Sequence, residues 1–202
     1  MAQWQQTAPA VNPVTLTEAL AFLRVEAESP ATANQALIEN QIAAATAWAE
    51  GITRRAFIHQ TWKLTLAAFP VGSGPIELPL GKAASIQRIE YITPDGAPAS
   101  LYGPSASPAG TGYREYLGSH QTALLLPARG ATWPATIDDE PAAVTVTFVA
   151  GYGDGPSTVP EPIRQAILYR LADLYDNRGS GDGTWTDVAA ATLRPYALRD
   201  QR

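Results

Sequence analysis

The sequence predicts an α+β protein: a helical bundle formed by the N- and C-terminal helices, with a small antiparallel β-sandwich or barrel inserted between them. Three observations carry that prediction. Apolar residues recur at spacings of three and four only in about 14–56 and 160–199. Between those stretches the period drops to two, in short runs punctuated by Pro, Gly and Asp. With 202 residues, 46% of them hydrophobic, the chain can bury one core or two small lobes that share one. The expected division is a flexible N-terminal arm at 1–13, a bundle domain made of 14–59 and 160–202, and a β-rich insert at 60–159.

Each element has a local reason. Pro9 and Pro13 and the low apolar density of the first residues predict a loosely attached arm, with Trp4 out of keeping in it. Helix one is predicted from an N-cap at Thr17, with Glu18 favouring the dipole and Leu16, Leu20, Phe22 and Leu23 making the stripe; Pro30 stops it. Helix two is predicted over about 32–53, with Leu37, Ile38, Ile42, Ala45, Ala49 and Ile52 on one face and Trp48 beside it. Strands are predicted at 61–68, 76–78, 86–93 and 143–149. A turn is expected at Thr93-Pro94-Asp95-Gly96, and a hairpin of 113–117 with 122–126 about Gly118-Ser119-His120. Residues 103–112 read as a loop. Helix three should start at Pro160–Pro162 and bury Ile163, Ile167, Leu171 and Leu174. Residues 179–183 read as a hinge. A fourth helix capped by Thr186 or Asp187 should carry Val188, Ala191 and Leu193 inward, with Pro195 breaking it. Trp48 and Ile163 are expected to join the two helical halves. The tail beyond Thr192 is expected to be dispensable for folding.

Composition excludes several functions. Net charge is −5 and lysine occurs only at Lys63 and Lys82, which argues against general phosphate binding. With no cysteine there can be no disulfide, thiolate metal site or Cys nucleophile. The first residues lack a basic and then apolar run, so no signal peptide is expected and synthesis in the cytoplasm is; no apolar run is long enough to span a membrane. Charged residues are only 16%, below the usual ~25%, so the surface must be rich in Ala, Thr, Gln and Pro. Such a surface suits packing between subunits and equally suits a low-charge monomer.

Candidate chemistry is sparse. His59 and His120 stand apart, with no HxH or HExxH spacing, so a turn or surface role is expected for both. Asp138-Asp139-Glu140 could hold a hard cation but reads better as a solvated loop. Gly151-Tyr152-Gly153-Asp154-Gly155 follows a strand and precedes a helix, yet lacks the Lys-Ser/Thr ending of a phosphate loop. No GxSxG elbow is present. Five Trp and eight Tyr leave open an alternative function, a carbohydrate- or surface-binding module in which Trp62 and Trp133 of the β insert stack on a ligand.

Several stretches carry a family likeness. They are Pro13-Val14-Thr15-Leu16-Thr17-Glu18-Ala19; LIENQIAAATAWAEGITRRAFIHQTWKLTLAAFP at 37–70; IELPLGKAASIQRIEYITPDG at 76–96; VTVTFVAGYGD at 144–154; VPEPIRQAILYRLADLYDNR at 159–178; and LRPYALR at 193–199. In this order they resemble the head–tail connector (adaptor, or head-completion) proteins of long-tailed phages and gene-transfer-agent-like particles. The resemblance implies a non-enzymatic virion protein at the head–tail interface, assembled in the bacterial host cytoplasm without a cofactor or metal. It implies a ring, typically a dodecamer, that joins the capsid portal to the tail through a stopper or next connector. Such a ring extends the DNA channel, with DNA only as passing cargo. It also implies that the C-terminal helix and tail dock on the portal protein, which in this chain would be Leu193, Arg194, Pro195, Tyr196, Leu198 and Arg199. The start of helix two at 28–34 is less acidic than the family's usual pattern, and the 103–112 loop is this chain's own.

Overall fold

A computed structural model describes residues 2–25, 32–101, 112–117, 122–177 and 184–198. The expected loop at 103–111, the turn Gly118-Ser119-His120, the helix stop at Pro30, the hinge at 179–183 and Arg199 all lie outside the described residues. The chain divides into two compact units: Met1–Ala8 with His59–Gly151, and Pro9–Ile58 with Tyr152–Arg202. The class is α+β: the described residues form four α-helices in the second unit and two antiparallel sheets in the first.

The helical unit is built on one seam. α2 (Thr32–Thr53) places Ile38, Ile42, Ala45 and Ala49 on a single face, spaced four, three and four apart, and all four are buried. α3 (Glu161–Asn177) answers with Ile163, Ala166, Ile167 and Leu171, each fully buried. The alanines let the two backbones come close, and each buried Ile or Leu contributes roughly 1.5–3 kcal/mol. Leu37 and Ile52, expected on the same face, are 53% and 37% exposed instead; they sit one position off the seam. Trp48 is only partly buried beside the core, and the Arg170 guanidinium lies 5.5 Å from its ring centroid.

The shorter helices close the unit. α1 (Leu16–Leu23) is capped by Thr15 rather than Thr17: the Thr15 hydroxyl accepts from the Glu18 amide at 3.2 Å, and the Glu18 carboxylate accepts from the Thr15 amide at 3.4 Å. The reciprocal T-x-x-E box satisfies two donors at once, which Thr17 has no partner to match. Arg24 ends α1 in the left-handed region (φ 53°). Glu18 also pairs with Arg164 of α3. α4 (Thr184–Leu193) begins before the predicted caps, so Thr186 lies inside it, where its hydroxyl donates to the carboxylate of the buried Asp173. Arg170 donates to Thr186 at 2.7 Å and to Asp173 at 3.4 Å, tying α3 to α4. Ala189 and Leu193 face inward; Val188 and Ala191, expected inward, are exposed.

The β unit has two sheets. One is five-stranded in the order β1-β2-β8-β4-β5, from β1 (Ala2–Thr7), β2 (Gln60–Leu66), β8 (Val144–Ala150), β4 (Ala83–Ile92) and β5 (Pro98–Leu101). The other is β3-β7-β6, from β3 (Ile76–Gly81), β7 (Thr122–Pro127) and β6 (Tyr113–Tyr116). No closed barrel forms among the described strands. β8 is the centre, paired on both sides. Its register sets Trp62, Leu64 and Leu66 opposite Phe148, Val146 and Val144, so the apolar residues share one face. β6 and β7 pair antiparallel as the expected hairpin. The turn at 93–96 closes through the Gly96 amide to the Thr93 carbonyl at 2.9 Å and returns the chain into β5, a strand that the short, proline-led run at 98–101 did not announce.

The N-terminal arm is a strand, against expectation. Residues 2–7 pair antiparallel with β2, with Gln5 opposite Trp62, and the Gln5 side chain donates to that of Gln60. An edge strand exposes one side and needs few apolar residues, and Pro9 and Pro13 lie beyond it, so the composition that suggested disorder is compatible with pairing.

The seam sets a testable energy scale. Ile163→Ala should lower unfolding stability by about 2–5 kcal/mol in a urea titration, as deletion of a core side chain does. A change under ~0.5 kcal/mol would remove Ile163 from the account.

Candidate functional site

The chain's C-terminal segment is the candidate site, and the helix ends fix it. α4 stops at Leu193, and a single 3₁₀ turn, Arg194–Tyr196, follows, with Pro195 in its first positions where a missing N–H costs nothing. The Ala197 amide closes the turn on the Arg194 carbonyl at 3.3 Å. Leu193 is fully buried in the helical core, and Tyr196 packs against that core. Arg194 and Pro195 are exposed; Leu198 is half-buried. The structure therefore splits the predicted residues in two. Leu193, Tyr196 and Leu198 hold the segment to its own unit, and Arg194 and Pro195 are offered outward. Removal of everything after Thr192 would delete the fully buried Leu193 side chain, so truncation there is expected to cost stability.

The receiving corner is the end of α2. Arg54 takes a left-handed conformation (φ 53°) and turns the chain out of the helix. The Phe57 amide is then capped by the Glu50 carboxylate at 2.8 Å. Arg55 points inward and is 2% exposed. Its Nε–H donates to the Tyr196 carbonyl, and its guanidinium also hydrogen-bonds the Tyr152 hydroxyl. Beside it the Leu198 amide donates to the Thr53 carbonyl at 3.0 Å. Two backbone groups of the segment are thus held by one turn of chain. Sequence reasoning missed Arg55 as anything but part of a motif. The available signal was a charged residue immediately before the apolar pair Ala56-Phe57, where an arginine is buried only if it is paired.

Electrostatics follow from burial. Burial pushes the Tyr152 hydroxyl above its ordinary pKa of 10.0; the Arg55 charge and hydrogen bond pull it down, and burial wins. Burial, with the Glu115 charge adding, also raises Tyr113 in the β unit.

The other candidates are not gathered at this segment. His59 is half-buried just before β2, and His120 lies outside the described residues. Asp138, Asp139 and Glu140 are exposed, and among the described residues no group of three His, Asp or Glu side chains is placed to hold a metal. In the glycine run the Gly151 amide bonds the Lys82 carbonyl at 3.0 Å and the Tyr152 amide bonds the Phe57 carbonyl at 2.9 Å. A Cβ at Gly153 would lie 2.6 Å from the Thr158 side chain, so close packing explains that glycine. A 3₁₀ turn at Pro156–Thr158 follows the run, not the N-terminus of a long helix. Trp133 is buried, stacked on Phe69 at 5.0 Å with its Nε1 donating to Gly74 at 2.7 Å, so its ring is not a ligand platform. Trp62 is half-buried on the Leu64 face of β2. No described helix is long and apolar enough to cross a membrane.

No family model matches the sequence, and no curated protein does. Solved structures do share the fold. A chain in the virion of a native gene transfer agent (GTA) particle matches with a TM-score of 0.79 at 22% identity, over 98% of this chain and 96% of that one. A chain in the neck of an empty GTA particle computed with C6 symmetry gives 0.77 at the same identity and coverage. One in the neck of a native GTA particle computed with C12 symmetry gives 0.70, again at 22% and with the same coverage. The likeness takes in both units, since almost the whole of each chain is matched.

The raised Tyr152 pKa has a consequence with a definite sign. The folded state keeps the phenol proton where the unfolded chain has lost it, so this contribution is complete below about pH 10 and declines as pH rises through the folded value. Urea stability of the wild type should therefore fall more steeply above pH 10 than that of Tyr152→Phe; parallel curves would contradict the shift.

Proposed function

We propose that this chain is a structural neck protein of a phage-like or gene-transfer-agent particle: an adaptor whose ring joins the capsid portal to the tail. The observation that supports it most strongly is the fold likeness to virion and neck chains of GTA particles across almost the full length of both. It agrees with the ordered set of motifs from Pro13 to Arg199. In this reading the helices at 14–59 and 160–202 form the bundle that packs around the ring, and the insert at 60–159 is a β-sandwich. Twelve copies surround the DNA channel, and a stopper or next connector sits on the far face. DNA passes as cargo, in keeping with a net charge of −5. The protein resides at the head–tail interface of the virion, and its work is geometric rather than catalytic.

Portal contact falls to the outward part of the C-terminal segment, Arg194 and Pro195, with Arg199 beyond it. Arginine suits such a contact because its planar fork binds a carboxylate or a row of carbonyls in fixed geometry. The carbohydrate-binding alternative has less support, because Trp133 is committed to the core of the β unit.

Purified protein mixed with portal assemblies should give a coaxial ring by electron microscopy, and Arg194→Glu should weaken that binding by about tenfold or more. Bare portals at saturating protein would contradict the adaptor reading.

A further inference from the structure

The C-terminal turn is held through its backbone. Arg55 reaches the Tyr196 carbonyl and Thr53 reaches the Leu198 amide, while Leu193 anchors the start of the turn in the core. Neither bond uses a side chain of the segment. The side chains of residues 194 and 195 are thereby left free to face out. We propose that Arg55 is a positioning residue for the docking segment: its Nε–H fixes the Tyr196 carbonyl, so that the turn Arg194–Tyr196 is a preformed binding element on the free protein.

The physical case has three parts. A hydrogen bond from an ionised donor is stronger than one between neutral groups, and more so away from water. With the turn in place Arg55 is 2% exposed, so its bond to the Tyr196 carbonyl is made away from water. Peeling the turn away would also draw Leu193 and Tyr196 out of the core they pack in. The segment is therefore not a tail that folds on contact; its ordering cost is met in the free protein, and a partner gains affinity from that. The partner is a protein surface that takes an outward arginine and a proline ring side by side. This role rests on the adaptor reading, in which that partner is the portal.

The test exploits side-chain geometry. Glutamine carries its amide nitrogen at the chain position of the arginine Nε, and methionine carries a methyl there. Arg55→Gln thus keeps a donor for Tyr196, Arg55→Met removes it, and both lose the guanidinium charge beside Tyr152. Amide hydrogen exchange at Leu198 reads the latch, with Ile167 and Leu171 of α3 reporting global stability. In the wild type, Leu198 should be protected well beyond a free peptide; exchange at the free-peptide rate overturns the proposal without any variant. Arg55→Met should lose about tenfold more protection at Leu198 than at the α3 amides, and Arg55→Gln should stay within about threefold of wild type. Equal behaviour of the two variants overturns it. With purified portal protein, Arg55→Met should bind about tenfold more weakly and Arg55→Gln nearly as wild type. Unchanged binding by Arg55→Met, with the exchange result as expected, removes the positioning role. Wild-type protein that ignores the portal overturns the adaptor reading and with it the role of the turn, while the exchange data still judge the latch.

Discussion

Everything in the helical unit depends on the dry seam between α2 and α3. The two helices come from opposite ends of the chain, so the seam forms only if the long β segment between them returns to where it left. It does: Ile58 and Gly153 form a parallel bridge, and the Tyr152 amide bonds the Phe57 carbonyl at 2.9 Å. Loop-closure entropy grows only with the logarithm of length, so a segment of this size costs little more to close than a short one. Ile38, Ile42, Ile163, Ile167 and Leu171 offset that cost by leaving water together. The same seam creates the corner where α2 ends, and the corner receives the C-terminal turn.

Much of this is legible in the sequence, for identifiable reasons. The four–three–four spacing of Ile38, Ile42, Ala45 and Ala49 can only be a helix face. The alternation of Val144, Val146 and Phe148 with Thr145 and Thr147 can only be a strand packed on one side. The readings that failed are those set by partners distant in sequence. β1 is a strand because β2 offers it an edge, and nothing in Ala2–Thr7 itself says so. Leu37, Ile52 and Val188 are apolar but fall just off the buried faces, a distinction of one helical position that composition does not resolve. The cap of α1 was legible, since Thr15 and Glu18 stand in capping-box register; Thr17 is the weaker choice on the same principle.

The candidate site was half legible. Its place near the end of the chain followed from a family likeness, but the division of labour within it did not. Leu193 and Tyr196 look like docking residues in a list of apolar tail positions, yet the fold uses them as anchors. Arg55 is distant in sequence from all of them, and only the fold brings its guanidinium to the Tyr196 carbonyl. These features agree with the proposed role, in which a core sets the frame and a short turn meets a neighbour.

On the proposed function, this shape serves the neck of a particle. The direct measurement is to delete the gene from its source genome and image the particles by electron microscopy. The deletion strain should yield heads and free tails that fail to join, with heads that are empty or leaking their DNA. Normally tailed particles in the deletion strain would contradict it.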